Sequence, residues 1–151
     1  MNRLGQITAV IAFFPLMSYG QTLQEQLADA PNISFEEWRD MTAGQTVVYE
    51  IDGNIYAYEA YRRGSNKVTI EVEGVVCEEG TWYMQGTTFC FNWPGNAPNC
   101  FNHKRLGDDI YVVGVVDGVE TDDIQKVIEI APIPVACGPA LFSALHPEET
   151  P

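Results

Sequence analysis

Two-residue turns spaced along the chain limit its fold more than any other feature. Asp52-Gly53, Gln85-Gly86 and Asp117-Gly118 each interrupt a stretch in which apolar and polar residues alternate. Asp-Gly suits a tight hairpin because both central residues need positive φ, which glycine adopts freely and aspartate tolerates. Strands reversed over two residues must pair antiparallel, since parallel pairing needs a crossover of a dozen residues or more. The expected class is therefore mainly β.

Pairing across Asp52-Gly53 puts Val47, Tyr49 and Ile51 on one face with Tyr56, Tyr58 and Ala60, and leaves Thr46, Glu50 and Glu59 on the wet face. In residues 67–76, Val68, Ile70 and Val72 point inward and Glu78-Glu79-Gly80 reads as the next turn. Around Gln85-Gly86, Trp82 falls opposite Phe89, with Phe91 and Trp93 on the same face. Residues 94–99 form a loop. A register that sets Phe89 opposite Phe101 also sets Cys90 opposite Cys100. Gly107-Asp108 turns into an apolar strand over 109–116, and 119–131 reads as a last strand. A short helix is the alternative there, because Ile124, Val127 and Ile128 have helical spacing. About eight strands joined by short turns close economically into a small antiparallel up-and-down barrel.

A helical segment, 21–44, precedes the barrel region, 45–142. Residues 21–30 form a loose helix ended by Pro31-Asn32. The next helix has Ser34 as N-cap and Glu37 three residues on, a capping box, with Phe35 and Trp38 on its apolar side and Gly44 as its stop. Residues 143–151 read as a disordered tail.

Residues 1–20 read as a secretory signal peptide: Asn2-Arg3, then a mostly apolar run from Leu4 to Met17, then Ser18-Tyr19-Gly20 with small residues where a signal peptidase cuts. The run is shorter than the roughly 20 apolar residues that span a bilayer, so no stable membrane anchor is expected. The implied location is periplasmic or secreted. In such an oxidising compartment, four cysteines imply two disulfides. Strand register supports Cys90–Cys100, and elimination leaves Cys77–Cys137, which would hold the proline-rich segment 132–139 against the body. No C-x-x-C spacing is present, so no metal site is expected.

The formal net charge is −13, and loss of Arg3 with the signal makes it one unit more negative. Such a chain repels phosphate backbones, which argues against nucleic-acid binding. It leaves a basic protein as one candidate partner. No P-loop, dinucleotide fingerprint or G-x-S-x-G occurs, and no cofactor is expected. The carboxylate pairs Glu78-Glu79 and Asp108-Asp109 fall in expected turns, where solvated charge is ordinary, so no catalytic residue is assigned. The acidic run Asp117, Glu120, Asp122 and Asp123 lacks the spacing of a calcium loop. The site-like feature is the inward aromatic set. Within it Tyr56, Tyr58 and Trp82, with His103 on the inward parity of Phe101, are the expected ligand-binding residues.

Gly80-Thr81-Trp82, Phe89-Cys90-Phe91 and Cys100-Phe101 resemble the pattern of small exported proteins of unknown function from alphaproteobacteria, over roughly residues 38–116. Gly80-x-Trp82 also resembles the lipocalin Gly-x-Trp. The resemblance implies a compact lipocalin-like barrel and no particular activity. The functional expectation is a non-catalytic binding protein that holds a small apolar or aromatic ligand. The alternative is a protein-binding inhibitor or envelope factor that works through exposed acidic loops and the loop at 94–98.

Overall fold

The computed structural model describes residues 20–72 and 77–135. The signal peptide expected at 1–20 lies outside them except for Gly20, as do Cys137 and the expected tail at 143–151. Eight strands follow two short helices, α1 (Leu23–Asp29) and α2 (Phe35–Thr42). The strands are β1 (Thr46–Ile51), β2 (Asn54–Tyr61), β3 (Lys67–Val72), β4 (Cys77–Gln85), β5 (Thr88–Asn92), β6 (Asn99–Leu106), β7 (Asp109–Val116) and β8 (Val119–Ala131). Each pairs antiparallel with the next, and β8 pairs with β1, so the sheet closes into a barrel with no free edge.

The two Asp-Gly turns form as the sequence predicts. Asp52 and Asp117 sit at φ 51° and 52°, each followed by glycine near 79°. The segment 119–131 is strand throughout, not helix. Three expectations about the strands are corrected. The β4–β5 turn is formed by residues 86–87, with Gln85 paired to Thr88, so Trp82 lies opposite Phe91 and Met84 opposite Phe89. The shift moves both sides of the hairpin together and leaves the aromatics on the inner face. Glu78 and Glu79 belong to β4, paired with Ile70 and Thr69, rather than to a turn.

The third correction changes the lining of the barrel. The β1–β2 register slips between Tyr49 and Glu50, because Tyr49 pairs with Ala57 while Glu50 pairs with Ile55. Tyr56 is the extra residue. A bulge of one residue inverts the parity of everything beyond it. Ala57, Glu59 and Tyr61 therefore face inward and are buried, while Tyr58 and Ala60 face outward.

The helices occupy two different positions. α1 lies against the outer side of β6, where Lys104 Nζ donates to the Leu27 carbonyl at 2.9 Å and pairs with Glu120 at 2.8 Å. β5 is too short to pair with the end of β6, and the link between the helices fills that gap. Ile33 N–H donates to the His103 carbonyl and Arg105 N–H to that of Pro31. α2 is thereby led across one end of the barrel. Ser34 caps it through the Glu37 N–H, but the reciprocal half of the capping box is absent, since the Glu37 carboxylate accepts from Arg105 at 2.6 Å. The complete capping box is on α1, between Thr22 and Glu25. At the other terminus of the barrel chain, Thr46 Oγ1 donates to the Ile133 carbonyl, and Val135 is buried.

Gly80 is fixed by close approach. A methyl group there would fall 2.5 Å from the Trp93 ring and 2.6 Å from the Asn92 carbonyl oxygen. Gly80→Ala must displace the Trp93 ring or strand β5. Overpacking of this kind costs about 1–3 kcal/mol, so the variant is expected to unfold at correspondingly lower urea with an unchanged m-value. A midpoint equal to wild type would show that Trp93 yields freely.

Candidate functional site

The barrel interior divides into a sealed half beneath α2 and a polar half toward the opposite end. In the sealed half Trp38, fully buried, projects from α2 between Tyr61, Phe89 and His103, with ring centroids at 6.0, 6.3 and 4.3 Å. Trp82 stacks on Phe89 at 5.9 Å and meets Phe35 of α2 at 5.4 Å. These aromatic side chains fill this half as core.

Just beyond them lies a buried carboxylate. The Tyr49 and Tyr61 hydroxyls both donate to Glu59 Oε2 at 2.7 Å. Burial pushes the Glu59 carboxyl up from 4.5 to about 7, although the two hydrogen bonds pull it down. Burial and the adjacent Glu59 also raise both tyrosines. His103 is fully buried, and neither ring nitrogen has a hydrogen-bond partner among the described residues. Burial lowers its pKa from 6.5 to about 3, so the imidazole is neutral. A cavity of about 60 Å³ opens toward the far end, lined among others by Tyr56, Glu59, Phe91, His103 and Gln125. It has room for water or a ligand of a few atoms, well short of the roughly 300–1,000 Å³ typical of small-molecule sites.

The four residues singled out in the sequence are thus dispersed. Tyr56 stands at the cavity mouth, 37% exposed, with its hydroxyl pKa raised by burial and by Asp123 and Glu59. His103 lines the same cavity but packs on Trp38 and Phe89 and not on either tyrosine. Tyr58 is on the outer face. Trp82 lies at the α2 end.

Trp82 is also the floor of a larger recess, which sequence reasoning missed. Between α2 and the β2–β3 turn is a groove of about 320 Å³, walled by Phe35, Arg39, Arg62, Ser65 and Asn66. The Arg39 guanidinium lies 5.5 Å over the Phe35 ring. Only the basic residues at 62, 63 and 67, set around a Gly-Ser-Asn turn, hint at it in the sequence.

Cys90 and Cys100 are disulfide-bonded directly across β5 and β6, as expected. Cys77 is also disulfide-bonded; Cys137, its expected partner, lies outside the described residues. No group of three or more His, Cys, Asp or Glu side chains suited to a metal ion occurs among the described residues. No helix among them is long and apolar enough to cross a membrane. No protein-family model, curated protein or solved structure matches the chain.

Proposed function

We propose that this chain is an exported, non-catalytic binding protein that holds a small aromatic ligand in the groove between α2 and the barrel wall. The observation that carries the reading is where aromatic side chains gather around a recess: Phe35, Tyr61 and Trp82 all line this groove, whereas the recess of about 370 Å³ beside it has Trp93 alone. The interior aromatics pack on one another around a cavity of about 60 Å³, whereas the groove above Trp82 offers about 320 Å³ with the half-buried Phe35 ring on its wall. The second volume is of the size that accommodates a small molecule, and apolar walls with a few polar groups are the usual composition of such sites. The disulfides support export, since they persist in oxidising compartments. Calorimetric titration of the mature chain with a neutral aromatic probe, 2-naphthamide, tests the site. Binding is expected to weaken at least tenfold in Phe35→Ala and to be unchanged in Tyr56→Ala. No binding of the amide or of the corresponding acid, or loss in Tyr56→Ala alone, overturns the reading.

A second reading has its own support at the opposite end of the barrel. The loop 94–98 is exposed and clasped at its base by Cys90–Cys100. The neighbouring turns 52–53 and 117–118 carry aspartate and no Lys or Arg. That surface suits a basic protein partner. Salt-sensitive capture of such a protein from envelope extracts, unaffected by Phe35→Ala, would mark it; capture insensitive to salt would count against it.

A further inference from the structure

We infer that the groove above Trp82 selects anionic aromatic ligands, small arenes bearing a carboxylate; this rests on the proposed reading of that groove and specifies its ligand. The distribution of cations in an acidic chain points to it. The chain has only 8 Lys and Arg against 21 Asp and Glu. Four of the cations, Arg39, Arg62, Arg63 and Lys67, gather at the α2 end of the barrel. Arg39 and Arg62 line the groove itself, while Lys67 lines the adjoining recess along β3 and β4 that Arg62 also borders. Arg63 lies next to Gly44, where its guanidinium comes within 3.3 Å of the space a Cβ would take, and it makes no ion pair among the described residues.

Two carboxylates compete for the groove arginines, both through exposed pairs. Arg39 donates to Oδ1 of its neighbour Asp40 from Nε at 3.0 Å and from Nη2 at 2.8 Å, with both side chains half-exposed or more. Arg62 reaches Glu79 only at 3.8 Å, again with both side chains mostly in water. Exposed pairs of this kind contribute little, so exchanging Asp40 or Glu79 for a ligand carboxylate is inexpensive. Guanidinium groups also offer a carboxylate two parallel donors. The ring of the ligand would rest on Phe35 above Trp82. Its carboxylate would meet Arg62 and Arg39 at the rim, with Asn66 and Ser65 as further polar groups on the wall. An amide or amine in place of the carboxylate loses the two charged partners.

The test compares 2-naphthoate with 2-naphthamide, titrated calorimetrically into the mature protein at low ionic strength and again in 0.5 M salt. Naphthoate is expected to bind at least tenfold more tightly than the amide, and salt is expected to close most of that gap. Arg62→Gln leaves only Arg39 to meet the carboxylate and is expected to weaken naphthoate several-fold more than the amide, narrowing the gap between them. Arg39→Gln, whose guanidinium also covers Phe35, is expected to weaken both. Equal binding of acid and amide, each sensitive to Phe35→Ala, overturns the inference and leaves the proposed function standing. Absence of binding by both probes removes both. Thermal unfolding of each variant shows that the groove remains folded.

Discussion

Trp38→Ala is expected to lower the thermal unfolding midpoint by about 10–20 °C, the largest stability loss expected of a single substitution in this chain. Trp38 belongs to a helix of only eight residues, too short to be stable by itself. Its indole is wholly enclosed and spans the distance from α2 to Tyr61, Phe89 and His103 on three strands. Truncating a buried tryptophan typically costs about 3–5 kcal/mol, because the transfer energy is lost and the cavity does not fully collapse. Here collapse is further opposed by strands fixed in a closed sheet. A second readout distinguishes unplugging from general loosening. Once Trp38 is gone, water reaches His103, and the imidazole pKa should climb from about 3 toward its ordinary value. Trp38→Phe keeps most of the seal and should show a small fraction of both effects. A Trp38→Ala midpoint within 2 °C of wild type would mean that α2 does not seal the barrel.

Much of the β architecture is legible in the sequence, because antiparallel hairpins are specified by local signals. The Asp-Gly turns, the inward set Val68, Ile70 and Val72, and the Phe89–Phe101 register follow from period-two alternation and turn chemistry. The lining of β2 was not legible, for a physical reason. In Tyr56-Ala57-Tyr58-Glu59-Ala60-Tyr61 the more apolar parity is Tyr56, Tyr58 and Ala60, and the bulge selects the other. Tyrosine tolerates an outer face because its hydroxyl can remain in water. Glu59 tolerates the interior only because Tyr49 and Tyr61 both donate to it. Those donors come from a neighbouring strand and from the same strand two residues on, so alternation alone carries no sign of them. The role of α2 was hidden in the same way. Phe35 and Trp38 mark an apolar helix side, but nothing local says that this side enters a barrel end. Nor does anything local say that Phe35 meets Trp82, 47 positions later, to make a groove.

The buried carboxylate and the buried imidazole give stability opposing dependences on pH, and single variants should separate them. Glu59 has its pKa raised to about 7 in the fold, from 4.5. Between those values the folded chain keeps a proton that the unfolded chain has released. Stability therefore falls as pH rises through this window, by about 3 kcal/mol once complete. His103 is the reverse case, held down at about 3 from 6.5. Between those values the unfolded chain takes a proton that the folded chain refuses. Stability falls as pH drops through that window, by about 4–5 kcal/mol at the lower limit. From about pH 5 to 8 the two slopes nearly cancel, and wild-type stability from these groups should be almost level, with a steep loss below about pH 4.5. Glu59→Gln retains an acceptor for the tyrosine hydroxyls and cannot ionise. Its urea-unfolding free energy should match wild type near pH 4 and exceed it by about 2–3 kcal/mol at pH 8. His103→Leu should show the complementary change, keeping its stability where wild type declines from pH 6 to pH 4. A Glu59→Gln advantage that is the same at pH 4 and pH 8 would mean that folding leaves the Glu59 carboxyl where it lies in the unfolded chain, and that burial among Tyr49 and Tyr61 does not raise it.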